Sequence, residues 1–119
     1  MSFIKYSDTS RADLARLYTF LAQYDENVAD KALDAIIQGI DYIESVPLSG
    51  TPLPDRQNIR KTIIEFGATG YLVFHKRYEK QDMNFVARII HQKEWYDVTS
   101  VGLEEEQAED ALIPTNTRP

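Results

Sequence analysis

The sequence predicts an α+β fold: an N-terminal strand, an antiparallel helical hairpin, and a mostly antiparallel sheet of three to five strands with the hairpin packed on one face. Three observations predict it. Two stretches repeat apolar residues at helical spacing with only two or three residues between them. Three apolar runs joined by short turns follow. A chain of 119 residues without cysteine has the size of one compact domain that is stabilised by packing alone.

Phe3 to Tyr6 is a short candidate strand. Ser7-Asp8-Thr9-Ser10 then offers side-chain acceptors for the free N–H groups of a helix start. Leu14, Leu17, Tyr18 and Leu21 recur at i, i+3, i+4 and i+7, which makes one apolar stripe on a helix ending near Tyr24. Asp25-Glu26-Asn27 breaks the chain and supplies caps whose negative charge suits a helix N-terminus. The second helix carries its stripe at Leu33, Ile36, Ile37, Ile40 and Ile43, and Pro47 stops it. Gly39 costs about 1 kcal/mol relative to alanine inside a helix, so it marks a close helix contact.

Residues 47 to 58 hold Pro47, Gly50, Pro52 and Pro54 and read as an ordered, solvent-facing connection without ladder. The strands are expected over Ile59 to Phe66, Tyr71 to Tyr78 and Phe85 to Ile90, with a short terminal strand around Lys93 to Tyr96. Tyr71-Leu72-Val73-Phe74 is nearly all apolar, the mark of a strand in the middle of a sheet. The folded domain is expected over residues 1–99. Residues 100–119 are expected to form an acidic, mobile tail, in which Glu104 to Leu112 has the propensity for a short helix.

Charge is unevenly distributed. Residues 1–55 carry four basic and nine acidic side chains, residues 56–96 eight basic and four acidic, and residues 97–119 one basic and six acidic. The cations therefore sit on the sheet region and the anions at both ends. The start lacks a secretory pattern and no apolar run approaches the roughly 20 residues that span a bilayer, so a cytoplasmic protein without membrane contact is expected. Gly-rich phosphate loops, G-x-S-x-G elbows and histidine pairs at metal spacing are absent from the sequence, and neither cofactor nor metal is expected.

The segment Val86-Ala87-Arg88-Ile89-Ile90-His91-Gln92-Lys93-Glu94-Trp95-Tyr96 ends an apolar run in ionisable and aromatic side chains. His91 can relay a proton near neutral pH, with Arg88 and Lys93 as cations for a phosphate. As a purely structural residue it would hold the sheet edge by a hydrogen bond to a neighbouring carbonyl. Arg60 and Lys61 alternate across the second strand, so only one can share a face with Arg88 or Lys93. Tyr71, Tyr78, Trp95 and Tyr96 are candidates for stacking, although each is also a natural packing residue.

Ile59-Arg60-Lys61, then Phe66-Gly67-Ala68-Thr69-Gly70-Tyr71-Leu72-Val73-Phe74, then Val86 to Glu94, together with Pro47 and the Gly50-Thr51-Pro52 loop, resemble the RelE/ParE superfamily of bacterial toxins over residues 3 to 97. The resemblance implies the toxin of a type II toxin–antitoxin pair, of the kind associated with plasmid stabilisation and growth inhibition, silenced by a cognate antitoxin. It leaves two targets. RelE-like members cut messenger RNA on the ribosome, which would make His91, Arg88 and Lys93 catalytic. ParE-like members act on DNA gyrase and are not nucleases, so that the strand end from Arg88 to Glu94 with Trp95 and Tyr96 would form part of the working face; Arg60, Lys61, Tyr71, Trp95 and Tyr96 would contact the target or, with Arg60 in a nuclease, a phosphate. RelE-like nucleases place an arginine after the Gly-Tyr of the middle strand, where this chain has Leu72, and residues 1–96 are near charge balance. Both departures favour the ParE-like reading. A degenerate, non-toxic member that only binds an antitoxin is the third reading.

Overall fold

A computed structural model describes residues 3–54 and 56–94. The order is β1 (Phe3–Tyr6), α1 (Asp8–Ala22), α2 (Glu26–Ser45), β2 (Thr51–Leu53), β3 (Arg56–Phe66), β4 (Thr69–Tyr78) and β5 (Met83–His91). The five strands form one sheet in the order β1-β5-β4-β3-β2. β1 runs parallel to β5 and every other pairing is antiparallel. The apolar run Tyr71 to Phe74 lies, as its composition demands, on the central strand. Both helices pack on one face, so the expected α+β architecture is the one found.

The helix starts follow from local chemistry. Ser7 accepts from the Ser10 N–H at 2.9 Å, and Asp25 accepts from the N–H groups of Asn27 and Val28. Two helical expectations need correction. Ile37, placed on the buried stripe of α2, is 43 % exposed, because the stripe is centred on Ala29, Ala32, Ile36, Ile40 and Ile43. Residue 37 is turned about 100° away from residue 36 and falls outside it. Gly39 does mark a close approach, but to the sheet and not to α1. A Cβ there would lie 2.4 and 2.5 Å from Cδ1 and Cγ1 of Ile64 on β3.

The connection expected to be free of ladder contains β2, paired with β3 through Thr51↔Lys61 and Pro52↔Arg60, then shifted in register before Leu53↔Arg56. An edge strand needs only one set of ladder hydrogen bonds, so it can accept a proline that a central strand could not. For the same reason β3 begins at Arg56, earlier than Ile59. The β3–β4 connection is the two-residue loop Gly67-Ala68, closed by the Phe66↔Thr69 pair. Gly67 has φ +62° while Ala68 stays at negative φ, the pattern of a II′ turn.

One apolar cluster joins Leu17 of α1 and Ile36, Ile40 and Ile43 of α2 to Ile64, Tyr71, Val73, Val86 and Ile89 of the sheet. A second consists of Leu53, Ile59, Leu72, Phe74, Met83, Phe85, Ala87 and Ile90, and draws no residue from either helix. The two clusters alternate along β3 and β4 and so occupy opposite faces of the sheet.

Candidate functional site

The site predicted at the end of β5 is built by three elements meeting there: the second half of α1, the β3–β4 turn, and the turn after β5. β1 accompanies β5 only as far as Tyr6↔Val86. Beyond that point the β5 edge would expose unpaired N–H and C=O groups. Side chains of α1 take the place of the missing strand. Ser7 Oγ donates to the Ala87 carbonyl at 2.7 Å, and the carboxylate of Asp13 accepts from the Ile89 N–H at 2.9 Å.

Asp13 is buried, with 3 % of its surface exposed. Its carboxylate also accepts from Arg88 Nε at 2.9 Å and Nη2 at 3.1 Å, and from Arg16 Nη2 at 3.1 Å. A buried anion is tolerable only when satisfied this fully. Arg16 then pairs through Nη1 with Glu94, whose other carboxylate oxygen accepts from the His91 N–H at 2.8 Å. A continuous chain of charges thus runs Arg88–Asp13–Arg16–Glu94 and ties α1 to the turn that ends β5.

His91 is held at both ring nitrogens. Nδ1 accepts from the Lys93 N–H at 3.1 Å, and since a backbone amide can only donate, the neutral ring carries its proton on Nε2. That proton is directed at Thr69 Oγ1, 2.9 Å away. Tyr71 meets the ring edge-on at 5.4 Å. Tyr71 itself is buried in the helix-side core, and burial, followed by the Glu94 charge, raises its pKa above the ordinary phenol value.

Around this point lies a groove of about 720 Å³. Leu17, Phe20, Leu21 and Phe66 form its apolar wall, with Arg16, His91, Lys93 and Glu94 at its polar rim. Phe20 is 57 % exposed and stacks edge-on with the exposed Tyr24, 5.6 Å between centroids, which extends the apolar surface to the tip of the hairpin.

The structure brings His91, Lys93 and Tyr71 together at the groove and turns Arg88 toward Asp13. It sets Arg60 apart. The Arg60 guanidinium donates to the carbonyls of Ser49 (3.0 Å) and Gly50 (3.4 Å), pinning the β2 arm. Lys61 is in register with Phe74, whose side chain belongs to the cluster on the face away from the helices. Trp95, Tyr96, the expected terminal strand beyond Glu94 and the acidic tail lie outside the described residues. Among the described residues, no group of three or more His, Cys, Asp or Glu could hold a metal ion, and no helix is long and apolar enough to cross a membrane.

Sequence reasoning missed Asp13, Arg16 and Thr69. Asp13 and Arg16 carry a local signal as an i,i+3 pair of opposite charge, but the partner of Asp13 is 75 residues away. The other histidine, His75, was passed over and is the more deeply buried: 1 % exposed, with Nε2 at 2.7 Å from Thr62 Oγ1. Burial, assisted by Arg60 opposite, lowers its pKa from 6.5 to about 4.

Comparison with known proteins places these features. The family described as the ParE toxin of the type II toxin–antitoxin system parDE matches residues 4–96. Toxin RelE3 of Caulobacter vibrioides is 29 % identical over 94 residues, which span 79 % of this chain and 98 % of that protein. A chain of the chromosomal ParDE system from P. aeruginosa superposes with a TM-score of 0.60 at 14 % identity, covering 76 % of this chain and 96 % of its own. A chain of the toxin–antitoxin complex RelBE2 from Mycobacterium tuberculosis does so with a TM-score of 0.55 at 18 % identity, covering 76 % and 98 %. These two likenesses bear on the fold, whereas the family match reaches from β1 to just beyond the turn after β5. The chain therefore belongs to the ParE toxin family of type II toxin–antitoxin systems, within the RelE/ParE superfamily.

Proposed function

We propose that this toxin inhibits DNA gyrase through protein contacts, in the ParE-like manner, and that a cognate antitoxin silences it in the cytoplasm. The observation that carries the reading is the commitment of the groups a nuclease would need. General base catalysis requires a free imidazole lone pair, and that of His91 Nδ1 is occupied by the Lys93 N–H. Stabilising a cleaved phosphate requires a guanidinium free to turn to it, and Arg88 grips the buried Asp13 by two nitrogens. Leu72, where an RNA-cleaving relative would offer arginine, is in the core cluster remote from the helices. The family match supports the same target class, and the derivation of both solved neighbours from toxin–antitoxin systems supports the antitoxin partner. The groove beside α1, with its exposed Phe20 and charged rim, is the contact surface in this reading, together with Trp95 and Tyr96.

A supercoiling assay with purified gyrase tests it. Inhibition of supercoiling, or trapped DNA cleavage, retained by His91→Ala and lost by Phe20→Asp, is the expected outcome. Unaffected supercoiling with messenger RNA cut on ribosomes in a His91-dependent way would establish the RelE-like nuclease instead. Normal growth of cells expressing folded protein without an antitoxin would establish the non-toxic member.

A further inference from the structure

β3 is longer than the strand that covers its outer edge. Its pairing with β2 ends at Thr51↔Lys61, whereas its pairing with β4 continues to Phe66↔Thr69. That last pair closes a two-residue loop and exchanges both of its hydrogen bonds, so by alternation Thr62 and Ile64 also face β4, and Ile63 and Glu65 point their N–H and C=O groups away from it. Among the described residues nothing bonds to these outward groups. Pro52 blunts the edge where β2 lies, but neither proline nor bulge interrupts β3 from Thr62 to Phe66. The side chains along this stretch are open as well. Ile63 is 53 % exposed, and Glu65 is exposed.

We infer that the occupant of this edge is a second copy of the chain, joined β3 to β3 in antiparallel sense about a two-fold axis at Ile64. In that register Ile63 lies opposite the partner's Glu65, and Glu65 opposite the partner's Ile63, so the groups left free in one copy meet those left free in the other. The side chains fit the same register. Lys61, Ile63 and Glu65 alternate onto one face, away from the helices, as the registers of Lys61 with Phe74 and of Ile63 with Leu72 show. Neither Lys61 nor Glu65 has an ion-pair partner among the described residues. Across the seam Glu65 is the diagonal neighbour of the partner's Lys61, within reach of two long side chains, and the symmetry makes this pair twice. Ile63 is the diagonal neighbour of the partner's Ile63, which covers its exposed surface. The helix layer offers apolar area beside the same edge: α2 rests on Ile64 at Gly39, and Tyr42, three residues further on, is 58 % exposed. The result is one sheet running through both protomers, whichever target the toxin has.

Sedimentation of the full-length chain over a dilution series tests this. The native chain should show a reversible equilibrium between monomer and dimer. Lys61→Glu and Glu65→Lys each set like charges against one another at both diagonal positions, and each should raise the dimer dissociation constant about tenfold or more. Combining the two substitutions exchanges the charges and should bring the constant back to within a few fold of the native one, at unchanged circular dichroism. A chain monomeric at every concentration would overturn the inference and leave the edge to a strand from another protein. A dimer equally tight in both single variants would overturn it too, by placing the contact elsewhere. So would a double exchange no tighter than the single ones, since the two charges would then not meet.

Discussion

Asp13 shows how one residue can organise a site without touching its surface. Its carboxylate completes the β5 edge by accepting the Ile89 N–H and anchors Arg88 and Arg16. Asp13→Ala leaves a largely buried guanidinium and a backbone donor without their anion, and a loss of about 3–5 kcal/mol in urea-unfolding stability is expected. Asp13→Asn, which keeps an acceptor but not the charge, should fall between Asp13→Ala and the parent. His75 makes a different prediction, because its imidazole is kept neutral by burial. Above pH 6.5 the ring is neutral in folded and unfolded chains alike and contributes no pH dependence. Between pH 6.5 and about 4 the unfolded chain takes up a proton that the folded chain refuses, so stability falls as pH falls, and below about 4 the contribution levels off. The full window is worth on the order of 3 kcal/mol. Chemical denaturation at pH 7 and pH 4.5 should show this loss in the parent, and His75→Gln should lose much less. Asp82 is held below its ordinary pKa chiefly by its hydrogen bond from Arg77.

At the scale of elements, what holds the helices to the sheet is close approach as much as apolar area. Gly39 lets α2 rest on Ile64 at a distance that no other residue allows. Gly39→Ala gains about 1 kcal/mol of helix propensity but drives a methyl into Cγ1 and Cδ1 of Ile64. The overpacking outweighs the gain, and a net loss of about 1–2 kcal/mol is expected in thermal or urea unfolding. Combining it with Ile64→Val, which removes the clashing Cδ1, should restore more than additivity allows. The β2 arm illustrates why the loop expectation failed. Gly50, Pro52 and Pro54 do punctuate the chain, yet Arg60 fastens the carbonyls of Ser49 and Gly50, and the edge position tolerates Pro52. Local punctuation is visible in the sequence; the long-range hydrogen bonds that override it are not.

At the scale of the molecule, the uneven charge distribution takes on a spatial meaning. The cations of the sheet region are not one patch. Arg60 is spent on the β2 arm, Arg88 on Asp13, and Lys61 and Lys76 lie on the face away from the helices, while Lys93 stands at the groove. Charge that is grouped along the chain is thus divided, for these five side chains, among different surfaces of the fold. The sequence by itself determined the element order, both helix caps, the central position of the Tyr71–Phe74 run and the superfamily, because caps, periodicity and turn residues act over a few positions. Only the tertiary structure decided which polar residues work together. Asp13 and Arg88, or Thr69 and His91, become partners when strands and helix dock, and the chemistry left to His91 is set by contacts that no local pattern encodes.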